Sequence, residues 1–160
     1  MQKHTRTAIT AVAIAAALLP SALLADSVLK ISNGDTTIEL DRAQLDAMDQ
    51  IAFETSTIWT DAISTFQGPS LQSLIALADI EDGAVTLSAI NDYTITIPVE
   101  DITATAPIVA TTIDGAAFSR RDKGPYWVVY PYDSGEEHQT EVTYSRSIWQ
   151  LKSISREKDD

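Results

Sequence analysis

In RRDKGPYWVVYPYD, Arg120 to Asp133, the cationic side chains of Arg120, Arg121 and Lys123 stand directly before an aromatic run, and Arg146 stands before a second apolar stretch, SIWQL. Guanidinium forks hold phosphate or carboxylate through paired hydrogen bonds, so these residues suit an anion pocket walled by Tyr126, Trp127, Tyr130 and Trp149. The same pattern also describes a surface loop whose cations pair with nearby acids such as Asp122. A third segment, Asn91-Asp92-Tyr93, joins turn-forming residues to an aromatic one. It reads either as the rim of that pocket or as a plain hairpin turn with Tyr93 in the core.

Other chemistries find little support. The chain has no cysteine, which excludes thiolate metal sites, cysteine nucleophiles and a lipid-modified cysteine anchor. There is no G-x-S-x-G, H-E-x-x-H or calcium-loop pattern. His138, in GEEH, reads as a solvated loop residue. The acid pairs Glu81-Asp82, Glu100-Asp101 and Glu136-Glu137 read as solvated turns, because adjacent residues of a strand point to opposite faces and do not make a carboxylate pair.

These residues sit in a chain of 160 residues with 11 Lys and Arg against 23 Asp and Glu, long enough for one domain with a real core. The start, MQKHTRTAITAVAIAAALLPSALLA, has a cationic head, an apolar middle and a small residue at Ala25, the pattern of a secretory leader. Residues 1–25 are therefore expected to be a signal peptide and 26–160 the mature, periplasmic or secreted domain. Losing Lys3 and Arg6 with the leader leaves nine Lys and Arg against the 23 acids, a charge of −14. Such a surface repels nucleic acid and anionic lipid, and after cleavage no segment is apolar enough to span a bilayer.

The elements that must position these groups follow from local signals. SVLKISNGDTTIEL predicts a hairpin around Asn33-Gly34-Asp35. Asp41 with Gln44 predicts a short capped helix, and GPSLQSLIALADI a second helix begun near Pro69 and ended at Gly83. AVTLSAINDYTITIP predicts a second hairpin, and APIVATTIDGAAFS a piece that turns at Asp114-Gly115. YWVVYP follows Gly124-Pro125 as a strand, an acidic loop intervenes, and RSIWQLKSIS closes the domain as the last strand. Trp127, Val129, Trp149 and Leu151, at period two, are expected in the core. Strands outnumber helices without a βαβ rhythm, so the fold class is α+β, mixed and mostly β.

With these elements in place, FQGPSLQSLI, VTLSAINDYTITIPVEDI, TTIDGAAFSRRDKGPYWVVYP and YSRSIWQLKSI, in this order, resemble the oxidoreductase molybdopterin-binding domain of the sulfite oxidase family, and its short exported members in particular. The resemblance covers Val28 to Ser155. It implies a mixed α and β fold, a molybdenum ion bound through a cysteine upstream of the G-x-x-L helix, and a pterin phosphate held by basic side chains. The cysteine would fall within Thr55 to Thr60, TSTIWT, where none is present, and neither a hydroxyl nor an indole replaces a soft thiolate. The leader also lacks the arginine pair of folded export. The expectation is a non-redox module with no cofactor, binding a small anionic ligand or a periplasmic protein through Arg120, Arg121, Lys123, Tyr126, Arg146, Trp149, Asn91 and Tyr93. The alternative is a molybdopterin-dependent oxidoreductase with an unusual ligand set.

Overall fold

Alternating side chains around a left-handed glycine make the first hairpin. In the computed structural model, which describes residues 27–119 and 121–157, β1 (Leu29–Asn33) pairs antiparallel with β2 (Thr36–Leu40) about Gly34 at φ +59°. The leader expected at 1–25 and Arg120 lie outside the described residues. Helix α1 (Arg42–Asp46) carries the expected capping box: the Asp41 carboxylate accepts from the Gln44 N–H at 2.8 Å, and the Asp41 N–H donates to the Gln44 side chain at 2.9 Å. Strands β3 (Ile51–Thr55) and β4 (Ser64–Gly68) follow, then α2 (Leu71–Ala76), capped by Ser70 and burying Leu71, Leu74 and Ile75.

Helix α2 ends earlier than expected. The chain reverses at Asp79, φ 54°, while Gly83, φ +76°, makes the later turn into β5 (Ala84–Ala89). Strand β5 pairs with β6 (Thr94–Pro98) around Asp92, φ 65°, as the second hairpin expected from NDY. Short strands β7 (Ile108–Ala110), β8 (Thr112–Ile113) and β9 (Ala116–Ala117) come next, the last two joined by left-handed Asp114 and Gly115. Beyond β10 (Trp127–Val129) lie two single-turn helices, Tyr132–Ser134 and Glu136–His138, then α3 (Glu141–Arg146) and β11 (Leu151–Arg156).

The last strand is thus shorter than its sequence pattern. Thr140 caps α3 by accepting from the Thr143 N–H at 3.1 Å, which draws Tyr144 and Arg146 into a helix. Gln150 at φ 54° then breaks the extended run, so Trp149 turns outward with 37% of its surface exposed, whereas Trp127, Val129 and Leu151 are fully buried. Trp149 is therefore not the core residue that period-two spacing predicts.

The strands form a five-stranded sheet in the order β2-β1-β11-β5-β6, a four-stranded sheet β3-β4-β8-β9 and the pair β10-β7. Among the described strands only β1 and β11 run parallel, bringing the first and last of them together. The core lies between the sheets, with Ile31, Leu87, Ile97 and Ile154 from the large sheet and Phe66, Val109 and Trp127 from the others. Where β4 crosses β7 the backbones are so close that a side chain on Gly68 would overlap the Val109 carbonyl and lie 2.9 Å from the Ala110 Cα. Among the described residues no helix is long and apolar enough to cross a membrane.

Candidate ligand-binding pocket

Three segments distant in sequence meet beside the edge of the large sheet. The tip of the β5–β6 hairpin brings Ala89, Asn91 and Tyr93; α3 and the residues after it bring Tyr144, Ser145, Ser147, Ile148 and Trp149; the loop between β3 and β4 brings Trp59. Together they line an open pocket of about 380 Å³.

Each segment is pinned by its own backbone. The hairpin tip closes through Ala89 N–H to Tyr93 O at 2.8 Å and is tied to the chain before β11 through Ile90 N–H to Gln150 O at 2.9 Å. The Lys152 ammonium also holds the Asp92 carboxylate by a hydrogen bond, which lowers the pKa of that carboxyl below its ordinary value. The segment after α3 is anchored from below: Trp127 Nε1 donates to Ser147 O at 3.2 Å, Tyr132 and Ser147 share a hydroxyl contact, and Val128 N–H donates to Ile148 O at 2.9 Å.

The β3–β4 loop depends on Asp133. Its carboxylate accepts from the Ser56 N–H at 2.6 Å and the Ser56 hydroxyl at 2.7 Å, and its own N–H donates to the Thr55 hydroxyl at 3.1 Å. The Ser56 hydroxyl is the main cause of the lowered pKa of this carboxyl, followed by the Ser56 N–H. Held this way, Trp59 becomes the centre of a ring cluster. It meets Trp149 at 5.7 Å and 70°, Tyr144 at 5.9 Å and 81°, and Trp127 at 5.9 Å and 68°, all edge-to-face. Tyr132 stacks on Tyr144 behind the wall at 5.4 Å, and burial pushes its hydroxyl well above the ordinary range.

The polar groups of the lining are largely engaged within the protein. Asn91 Oδ1 accepts from the Tyr93 N–H at 3.2 Å, the Ser145 hydroxyl donates to Val142 O at 2.7 Å, and the Ser147 hydroxyl donates to Thr143 O at 2.8 Å. The pocket therefore offers ring faces, with hydrogen bonding left to the ring edges, the tyrosine hydroxyls and the Asn91 amide.

Of the residues singled out from sequence, Asn91, Tyr93 and Trp149 come together here; Tyr93 lies at the rim, 52% exposed, and not in the core. Among the described residues, the cationic Arg121, Lys123 and Arg146 do not line the pocket. The Arg146 guanidinium turns away to Asp101 at 2.8 Å and lies beside buried Tyr130, whose hydroxyl pKa is raised to about 12, chiefly by burial. Lys123 pairs with Asp122 at 3.1 Å and covers the Trp127 ring at 5.5 Å from its centre. Tyr126 is buried and donates its hydroxyl to Ser27 O. Arg121 is exposed and makes no ion pair among the described residues. Trp59 and Tyr144, unmarked by sequence reading, supply two of the four aromatic walls.

No protein-family model and no curated protein matches the chain. Among solved structures it is similar to the sulfane dehydrogenase SoxCD from Paracoccus pantotrophus, with a TM-score of 0.60 and 13% identity, over 80% of this chain and 37% of that one. The fold is sulfite-oxidase-like. The class is thus α+β and mostly β, as expected from the element pattern and the resemblance, and the chain spans little more than a third of the length of the protein it matches. At this identity the likeness is one of architecture, and the site must be argued from its own residues.

Proposed function

We propose that this chain is an exported, non-redox binding module that takes a small organic ligand between Trp59, Tyr93, Tyr144 and Trp149. The observation that carries the reading is the convergence of three separately pinned segments on one aromatic pocket of about 380 Å³, within the usual range for small-molecule sites.

The residues do not fit the molybdenum cofactor that the resemblance implies. The loop from Ser56 to Ile63 contains hydroxyl, apolar and carboxyl side chains but no thiolate, and the chain has no cysteine to supply one. Thr55, at the start of that span, is buried with its hydroxyl bonded to Ser56 O and Asp133 N. Among the described residues no three His, Cys, Asp or Glu side chains are grouped to hold a metal. Arg146 and Lys123, two of the basic side chains expected to hold an anion, already face Asp101 and Asp122.

Two measurements on protein purified from the periplasm test the reading. Elemental analysis is expected to give far less than one molybdenum per chain, and a full complement would overturn the non-redox assignment. A set of small neutral, cationic and anionic compounds, followed by ligand-observed NMR, is expected to give binders of the wild type that are lost in Trp149→Ala. Binding that ignores this substitution throughout would remove the pocket as the site, and binding seen only to co-purified protein would make the face a docking surface instead.

A further inference from the structure

We infer that the ligand class of this pocket is a compact organic cation, a methylated ammonium group held in a box of aromatic faces. The inference rests on the pocket reading above and adds the charge and shape of the ligand.

Three observations lead to it. The walls are mutually steep: Trp59 stands at 70° to Trp149 and 81° to Tyr144, with Tyr93 at the rim. Ring planes at such angles give a compact, nearly spherical group several faces at once, while a flat ligand would stack on only one. The face of each ring is the negative end of its quadrupole, which favours a cation, most of all at Trp. The second observation is hydrogen-bonding supply. Asn91 Oδ1 and the Ser145 and Ser147 hydroxyl protons are already committed inside the protein. Hydrogen bonding is left to the ring edges, the Tyr93 and Tyr144 hydroxyls and the Trp59 and Trp149 indole N–H, and not to the ring faces. A trimethylammonium group has no N–H or O–H to satisfy.

The third observation is charge. Most of the described cations are compensated in place: Lys30, Arg42, Lys123, Arg146, Lys152 and Arg156 each face a carboxylate, and Arg121 does not. Among the described residues that line the pocket, none is Lys or Arg. Asp61 follows Trp59 in the same loop, Glu141 opens the helix that carries Tyr144, and the chain as a whole is at −12. A chain of this net charge favours the approach of cations over that of anions.

The test uses the full mature chain and tryptophan fluorescence at constant ionic strength, with three probes: choline chloride, its uncharged isostere in which a tert-butyl group replaces trimethylammonium, and inorganic phosphate. Choline is expected to give a saturable change, and the isostere one at least roughly tenfold weaker. Tyr93→Phe should keep most of the choline affinity and Tyr93→Leu should lose several-fold; Trp149→Leu repeats the comparison at a second wall. Equal binding of choline and the isostere would overturn the cation inference while leaving an apolar pocket. So would phosphate binding without choline binding, which would return the site to Arg121 and Lys123. Silence of choline in fluorescence while neutral compounds bind by NMR would sink the cation inference alone; silence of every compound in both methods would sink the pocket reading with it.

Discussion

Trp127 and Trp149 touch, with ring centres 6.2 Å apart and planes at 89°, yet they occupy different environments. Trp127 is fully buried, packed edge-on against Phe66, Phe118 and Trp59, and its indole N–H is satisfied by Ser147 O. Trp149 keeps one side open to the pocket. Truncating Trp127 to alanine is therefore expected to cost about 3–5 kcal/mol in denaturant melts, and truncating Trp149 less than half of that, because part of its surface is never removed from water. Equal losses would show that Trp149 is a core residue after all. Period-two spacing made both look buried in the sequence. What it could not reveal was the single left-handed residue, Gln150, that turns Trp149 out of strand register. Trp59 was missed for the opposite reason: it sits in the polar run TSTIWT, where no periodicity marks it. The available signal was the cost of leaving so large an aromatic side chain in water, which obliges a loop tryptophan to find neighbours.

The elements that hold these residues differ in how openly their sequences declare them. The two hairpins and the capped helix α1 are specified by residues adjacent in the chain, so Gly34, Asp92 and the Asp41–Gln44 pair were enough to place them. Helix α3 was hidden inside what reads as an acidic loop, because its cap is a Thr140–Thr143 pair without the glutamate or glutamine of a capping box. The β3–β4 loop is specified at long range, by Asp133, and this gives it a pH dependence. The folded Asp133 carboxyl has a pKa below its unfolded value, so its contribution is present above the ordinary carboxylate range and is lost as the pH falls through the depressed folded value. Acrylamide quenching of tryptophan fluorescence should accordingly stay constant from neutral pH down through the usual carboxylate range and rise only in stronger acid, as Trp59 is released. Asp133→Asn should show the higher quenching already at neutral pH, with much of the acid step gone. An unchanged profile in that variant would mean that Trp59 is held by ring packing alone.

At the scale of the whole molecule, the parallel pairing of β1 with β11 brings the first and last strands of the domain side by side, and β11 then meets β5, whose hairpin forms one wall of the pocket. Pairings across that separation leave no local trace, so the sequence disclosed the fold class and the resemblance, but not the meeting of the Trp59 loop, the NDY tip and α3. Of the cationic residues that stood out in the sequence, Lys123 and Arg146 are spent on ion pairs and on the Trp127 ring, and Trp149 joins Trp59, Tyr93 and Tyr144 in the pocket instead. The measurement that bears most directly on this account is an NMR titration of the labelled protein with choline and, separately, with inorganic phosphate. Choline is predicted to move the indole N–H signals of Trp59 and Trp149 most, with Trp127, hydrogen-bonded in the core, moving least, and phosphate to leave all of them in place. Shifts confined to the backbone amides of Arg121 and Lys123 on adding phosphate, with Trp59 and Trp149 silent toward choline, would contradict it.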